Sequence, residues 1–308
     1  MTALLILPLL LPFALPALAR RALDRLAPVA ALWAVTASAV TLAGCSLAAL
    51  GAFFLTGLLT LPFFAALGEL VRPLHTASDG FVLPLAALSV GALAVCVWSL
   101  ARSVLRQTRA FRAARTQAGR GPAAGDLCVV DSPCPDAYAL PGRPHRIVVT
   151  TGMLRSLDAA EREALFAHER AHNRGGHHFF LAAAELAAHC HPALRRVRDV
   201  VRLAVERAAD EAAASAVGDR RLTARAIARA ALAGQGGAAE RPAFVSGAAS
   251  GPVPRRVQAL LAVERGRRAG GWAAALLVAC AGLSCVASAT GMIDFHHRVE
   301  VAQGEAER

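Results

Sequence analysis

Four long runs without a charged residue dominate the pattern of apolar and polar positions: residues 1–19, 26–68, 80–101 and 269–293. A helix crossing a bilayer needs about 20 consecutive apolar residues, so each run is long enough to span. Arg20, Arg21 and Arg25 follow the first run. A cleavable leader carries its positive charge before the apolar stretch, so this run reads as a first span with its N-terminus outside. The second run is long enough for two crossings.

The pattern changes between the third and fourth runs. Arg102, Arg106, Arg109 and Arg112 open a basic helix that gives way to a Gly/Ala-rich linker near residue 125. Their helical spacing suits either a helix rising past anionic headgroups or an ordinary solvated face. Short β signals follow at 127–130, 137–140 and 146–151, separated by Asp131-Ser132-Pro133 and Pro141-Gly142. Turn formers between short β-rich segments predict a small antiparallel sheet. Asp158-Ala-Ala-Glu161 is a capping-box pattern, and it opens a helix predicted to stop at Gly175-Gly176. A second helical stretch follows His191-Pro192.

Composition sharpens this picture. The 308 residues are 56% apolar and 18% charged, against about 45–50% and 25% in soluble domains. Such hydrophobicity excludes a disordered chain. All 33 basic residues are arginine, and the net charge is +11. That excess raises the reading of a membrane-tethered nucleic-acid binder. The competing reading is that Arg sets topology, and the long apolar runs favour it, so no nucleic acid is expected as a partner. Three Arg lie at 20–25, six at 102–120, and Arg265, Arg267 and Arg268 precede the last run. A single crossing of the second run, near 28–50, puts all three segments on the cytoplasmic side, as the positive-inside rule requires. The expectation is therefore a multi-pass protein of a bacterial plasma membrane. Residues 1–101 form a membrane region with spans near 1–19, 28–50 and 80–101, and 51–68 is an apolar outer or re-entrant segment. Residues 102–268 form a cytoplasmic domain, 269–293 the last span, and 294–308 a short outer tail. The seven Cys are scattered without a C-x-x-C pair, which indicates neither a disulfide framework nor a Cys zinc site.

The chemistry is concentrated in His168-Glu169-Arg170-Ala171-His172. Residues four apart on a helix share a face, so both imidazoles can hold one Zn²⁺. Glu169, a quarter turn away, is placed to take a proton from a water activated there and pass it to a leaving amine. A catalytic zinc needs a third protein ligand. Glu206 and Asp210, also four apart, can supply that ligand and a carboxylate to orient a ligand histidine. His189 and His191, flanking Cys190, are an alternative source of the third ligand. His177 and His178 follow the Gly-Gly stop and are assigned to capping or polar contacts.

These residues resemble the integral-membrane zinc metallopeptidases of gluzincin type, most closely the BlaR/MecR-like family, and are similar in plan to HtpX-like and CAAX-prenyl endopeptidases. The resemblance covers roughly 126–262. It rests on the segment from Asp136 to Gly142, the strand at 146–151 with its Thr-Gly-Met-Leu continuation, the His168 and Glu206 helices, and the segment from Pro254 to Leu260. It implies a mainly α integral-membrane protein of about four transmembrane helices, with a cytoplasmic α+β zincin-like domain carrying the small antiparallel sheet. It implies His168, His172 and Glu206 as zinc ligands and Glu169 as general base and acid. It also implies that the strand carrying Ile147, Val148, Val149 and Thr150 holds an extended substrate at its edge, and that Arg256 stabilises an oxyanion. Implied partners are the lipid bilayer and a protein or peptide substrate, a transcriptional repressor among them. The sensor members carry a large ligand domain after the last span. Here residues 294–308 follow it, so direct antibiotic sensing is not expected. Where the related endopeptidases place a basic residue after the E-x-x-A-D string, this chain has Glu211. The competing class is a non-catalytic membrane signalling or scaffold protein with a residual metal site.

Overall fold

The structure is a computed structural model that describes residues 2–59, 79–120, 123–234, 252–262 and 271–304. Helix α1 (Thr2–Leu10) gives way to a 3-10 turn at Leu11–Phe13 and then to α2 (Leu15–Arg25). Pro12 and Pro16, which cannot donate a backbone hydrogen bond, sit at this break, and the chain bends there by 48°. The first run is therefore a broken helix pair rather than one straight span. Helix α3 (Pro28–Leu59) is a single helix of 32 residues. One continuous helix fits one crossing and carries the helix beyond residue 50 into the segment expected to lie outside; residues 60–68 fall outside the described residues. Helix α4 (Asp79–Arg120) joins the third run and the basic segment in one 42-residue helix. Helix α11 (Gly271–Gly304) takes up the fourth run from Gly271 and extends into the expected tail. Among the described residues, three helices, at Pro28–Leu58, Leu83–Gly119 and Gly271–His297, are long and apolar enough to cross a membrane, or four if the bent pair counts as one. Arg265, Arg267 and Arg268 lie outside the described residues.

A four-stranded sheet follows α4: β1 (Ala123–Ala124), β2 (Leu127–Val130), β3 (Ala137–Leu140) and β4 (Arg146–Thr150), in the order β1-β2-β4-β3. It is mixed, not antiparallel as expected. β4 pairs parallel with β2, Cys128 opposite Val148, and antiparallel with β3, Tyr138 opposite Val148. The reason lies in the 131–136 connection. Pro133 and Pro135 lack N–H donors, so this stretch cannot continue a hairpin ladder, and it crosses the end of β4 instead. Thr150 Oγ1 donates to Cys134 O (2.8 Å) and accepts from Asp136 N (2.8 Å). Gly152 N donates to Ser132 O (2.9 Å), and a Cβ at Gly152 would collide with the Pro133 carbonyl. The crossing delivers β3 to the outer side of β4.

Behind the sheet come α5 (Thr151–Ser156), α6 (Ala159–Arg174), α7 (His177–Cys190), α8 (Leu194–Val217), α9 (Arg220–Ala233) and α10 (Val253–Leu261). The expected capping box opens α6: Glu161 N donates to Asp158 Oδ1 (2.9 Å) and Asp158 N to Glu161 Oε2 (3.1 Å). The same buried Glu161 carboxylate accepts from Arg225 Nε (3.1 Å) and Arg229 Nη1 (2.8 Å), tying α6 to α9. Glu161→Ala removes half of the cap and leaves two guanidiniums without their acceptor. It is expected to cost about 1–2 kcal/mol, read as a lower unfolding midpoint. An unchanged midpoint would show that the cap contributes nothing.

α8 is built on the apolar helices. Val197, Val201, Ala204 and Val205 pack in one buried cluster with Leu15 and Leu23 of α2, Leu32 and Val35 of α3, and Leu277 of α11. Arg207 Nη1 also donates to Leu23 O (2.8 Å). The opposite face of α8 meets α6. The candidate chemistry therefore sits where the helical domain rests on the apolar helices.

Candidate metal centre

α6 and α8 bring the expected residues together. His168 Nε2 and His172 Nε2 are 3.1 Å apart. Glu206 Oε2 lies 3.5 Å from His168 Nε2, and Oε1 lies 3.8 Å from His172 Nε2. The three ligand atoms fall within 4.8 Å of one another, and all three residues are buried. Tetrahedral zinc with bonds of 2.0–2.1 Å to nitrogen needs ligand atoms about 3.3 Å apart, close to these spacings. Among the described residues, this is the one such group of three metal-binding side chains.

The other ring nitrogens are accounted for. His168 Nδ1 lies 3.0 Å from Asp210 Oδ1, the orienting contact expected of Asp210. His172 Nδ1 lies 2.9 Å from His177 Nδ1. Both imidazoles thus direct Nε2 toward the same point. His177 makes a polar contact of the kind expected of it, and its partner is His172 on the candidate metal face. Its signal was the Gly175-Gly176 pair: Gly176 adopts φ +60°, and this left-handed residue turns the chain so that the first turn of α7 folds back on α6. His189 and His191 lie elsewhere. His189 Nε2 is 3.6 Å from Glu185, and His191 Nε2 is 3.1 Å from Leu9 O, so neither supplies the third ligand.

Arg256, on α10, is fully buried. Its Nε and Nη2 donate to the two Asp210 oxygens at 2.9 and 2.7 Å, and Nη1 lies 2.9 Å from Glu206 Oε2. The guanidinium is occupied in holding the two carboxylates of α8, which is a positioning geometry rather than the oxyanion role expected of it. Burial opposes ionisation of Glu206 and Asp210, but the Arg256 charge outweighs it and holds both below the ordinary carboxylate range. Burial alone would depress His168, yet its contacts with Asp210 and Glu206 dominate and push it up to about 10. Burial drives His172 down, and His177 to about 4.

Charge tests the fit to a metal. Glu169, Glu206, Asp210 and Arg256 are all buried. With neutral imidazoles, these three carboxylates and one guanidinium carry a net charge of −2. Buried charge of that size is costly unless compensated. A divalent cation bound by His168, His172 and Glu206 would neutralise it, and the donor set suits zinc. Without a cation, a proton on His168 offsets part of the charge.

The substrate strand is corrected. β4 is flanked by β2 and β3, so Ile147, Val148, Val149 and Thr150 offer no open edge. Ile147, Val148 and Val149 are buried in packing, and Thr150 caps α5 by accepting from Met153 N (3.2 Å). The edge nearest the metal residues is β3. Ala139 and Pro141 share a narrow crevice with His172, Asn173, His177 and Leu181.

Residues 106–194 match the model of peptidase family M48. The matched segment runs from the basic end of α4 through the sheet and α6 to the start of α8, less than a third of the chain. It includes His168, Glu169 and His172, and it ends before Glu206, Asp210 and Arg256. The match supports a metallopeptidase of that family, whose members are generally zinc-dependent. No curated protein and no solved structure matches the chain.

Proposed function

We propose that the chain is a membrane-anchored zinc endopeptidase that hydrolyses peptide bonds of cytoplasmic or membrane-proximal proteins, of the BlaR/MecR-like type, acting in signalling or regulated proteolysis. The observation that carries this reading is the buried His168–His172–Glu206 group with Glu169 on the same helix, inside and just beyond the M48 match. His168, His172 and Glu206 would hold the zinc. When bound, zinc lowers the pKa of water and polarises the scissile carbonyl. Glu169 accepts the proton of the attacking water on its carboxylate and returns it to the leaving amine. Asp210 fixes the His168 ring through Nδ1, and Arg256 fixes Asp210 and Glu206. An extended peptide adds along β3, the outermost strand of the described sheet on this side, by strand pairing. α7 forms the other wall of that crevice through His177 and Leu181. The topology in this reading is four spans with the 102–268 domain in the cytoplasm, and a repressor protein fits as substrate.

Metal analysis of the purified full chain tests it. One zinc per chain is expected, and His168→Ala and Glu206→Ala should each lose it. Zinc must displace the proton that the metal-free site keeps on His168, so apparent affinity is expected to rise as pH increases from about 6 to 8. Zinc content unaffected by both substitutions would refute the ligand assignment.

A further inference from the structure

A second cleft lies where the end of α4 meets the turn between β3 and β4. It encloses about 210 Å³, far more than one water needs, and Arg115, Leu140, Pro141, Pro144 and Arg146 line it. We propose that this cleft is a subsite for an acidic side chain of an extended peptide paired along β3. The inference rests on the zinc-peptidase reading and adds a substrate preference to it.

Strand geometry connects the cleft to the metal residues. Successive residues of a strand face opposite sides of the sheet. Ala137 packs with Val149, Met153 and Leu165 on the α6 side. Tyr138 and Leu140 pack with Cys128, Val148 and Ala118 on the α4 side. Ala139 then faces the crevice that holds His172, while Leu140 faces the basic cleft, and Pro141 borders both. A peptide added to the β3 edge alternates in the same way. One side chain lies toward the metal residues, and a neighbour in the strand lies toward Arg115 and Arg146.

Arg146 is tethered to the backbone, and Arg115 is an exposed guanidinium beside it on the cleft wall. Arg146 Nη1 donates to Ala118 O (3.2 Å). Arg115 stands 5.7 Å from the centre of the Phe111 ring. It lies against Gly142, where a Cβ would collide with the guanidinium, so glycine there leaves room for it. Among the described residues, no carboxylate pairs with either arginine. Two guanidiniums lining a cleft without an acid suit a carboxylate, which a guanidinium can grip with two parallel hydrogen bonds. A lipid headgroup has the same charge, but α4 carries Arg115 about 20 Å past Ala101, where its uncharged run ends. That distance favours a peptide carboxylate.

The test uses the zinc-loaded full chain in neutral-lipid nanodiscs and quenched-fluorescence peptides of randomised sequence, with Glu and Gln compared at each position in turn. At one position the Glu peptide is expected to show a kcat/KM roughly fivefold above its Gln twin. The ratio should fall toward one in the Arg115→Gln, Arg146→Gln double variant and below one in Arg115→Glu. A ratio near one at every position, or one retained in both variants, would overturn the proposal. So would loss of the ratio in nanodiscs of anionic lipid, because headgroups would then be the occupant. The Gln peptides report separately on the peptidase reading. If the chain cleaves them and Glu169→Gln does not, that reading stands even with a flat ratio, whereas no cleavage of any peptide removes both.

Discussion

Glu169→Gln is expected to lower kcat for peptide hydrolysis on the order of 10³-fold while zinc stays bound at one per chain. The substitution keeps the size of the side chain and removes the ability to hold a proton. General acid–base catalysis contributes about 10²- to 10⁴-fold, and this residue is assigned both halves of the proton transfer. Because the proton moves only as the reaction proceeds, kcat and kcat/KM should fall together with KM little changed. Zinc content distinguishes this role from a structural one. Glu169 is not among the three ligand residues, so metal analysis of the variant should match the unsubstituted chain. Wild-type turnover by Glu169→Gln would remove the residue from the mechanism. Loss of zinc would make it part of the metal cage.

Local chemistry was legible in the sequence, and nonlocal neighbours were not. The capping box at Asp158 and Glu161, the stop at Gly175-Gly176 and the pairing of His168 with His172 depend on residues within about one or two turns, so spacing alone locates them. Glu206 and Asp210 were found because a four-residue spacing on a second helix matched the need for a third ligand and an orienting carboxylate. The sheet was harder. A strand of four or five residues alternates in the same way whether its neighbour runs parallel or antiparallel, and whether it lies inside the sheet or at the edge. β4 therefore looked like an edge, although β3 occupies that place. Arg256 was placed near the site, but its contacts were not foreseen, because nothing in its own segment indicates that α10 packs on α8 and aims a guanidinium at Asp210 and Glu206.

That placement makes Arg256 the residue whose loss should most damage the folded protein. Arg256→Met leaves Asp210 and Glu206 buried without their guanidinium, and breaking a buried pair by removing one partner costs about 3–5 kcal/mol. The deficit should be largest in zinc-free protein, measured by chemical unfolding in detergent. It should shrink when zinc is saturating, because the divalent cation then offsets the Glu206 charge. Arg256→Lys keeps one positive charge but loses the fork that grips both Asp210 oxygens, so it should fall between the two. The lysine variant also separates positioning from catalysis. If Arg256 only positions, stability and zinc affinity decline together while kcat per zinc-loaded chain stays within a few-fold of the unsubstituted value. If it stabilises an oxyanion, kcat should drop by about 10²- to 10³-fold in protein that remains folded and fully loaded. The three contacts of the guanidinium to Asp210 and Glu206 lead us to expect the first result, and the second would return Arg256 to the reacting centre.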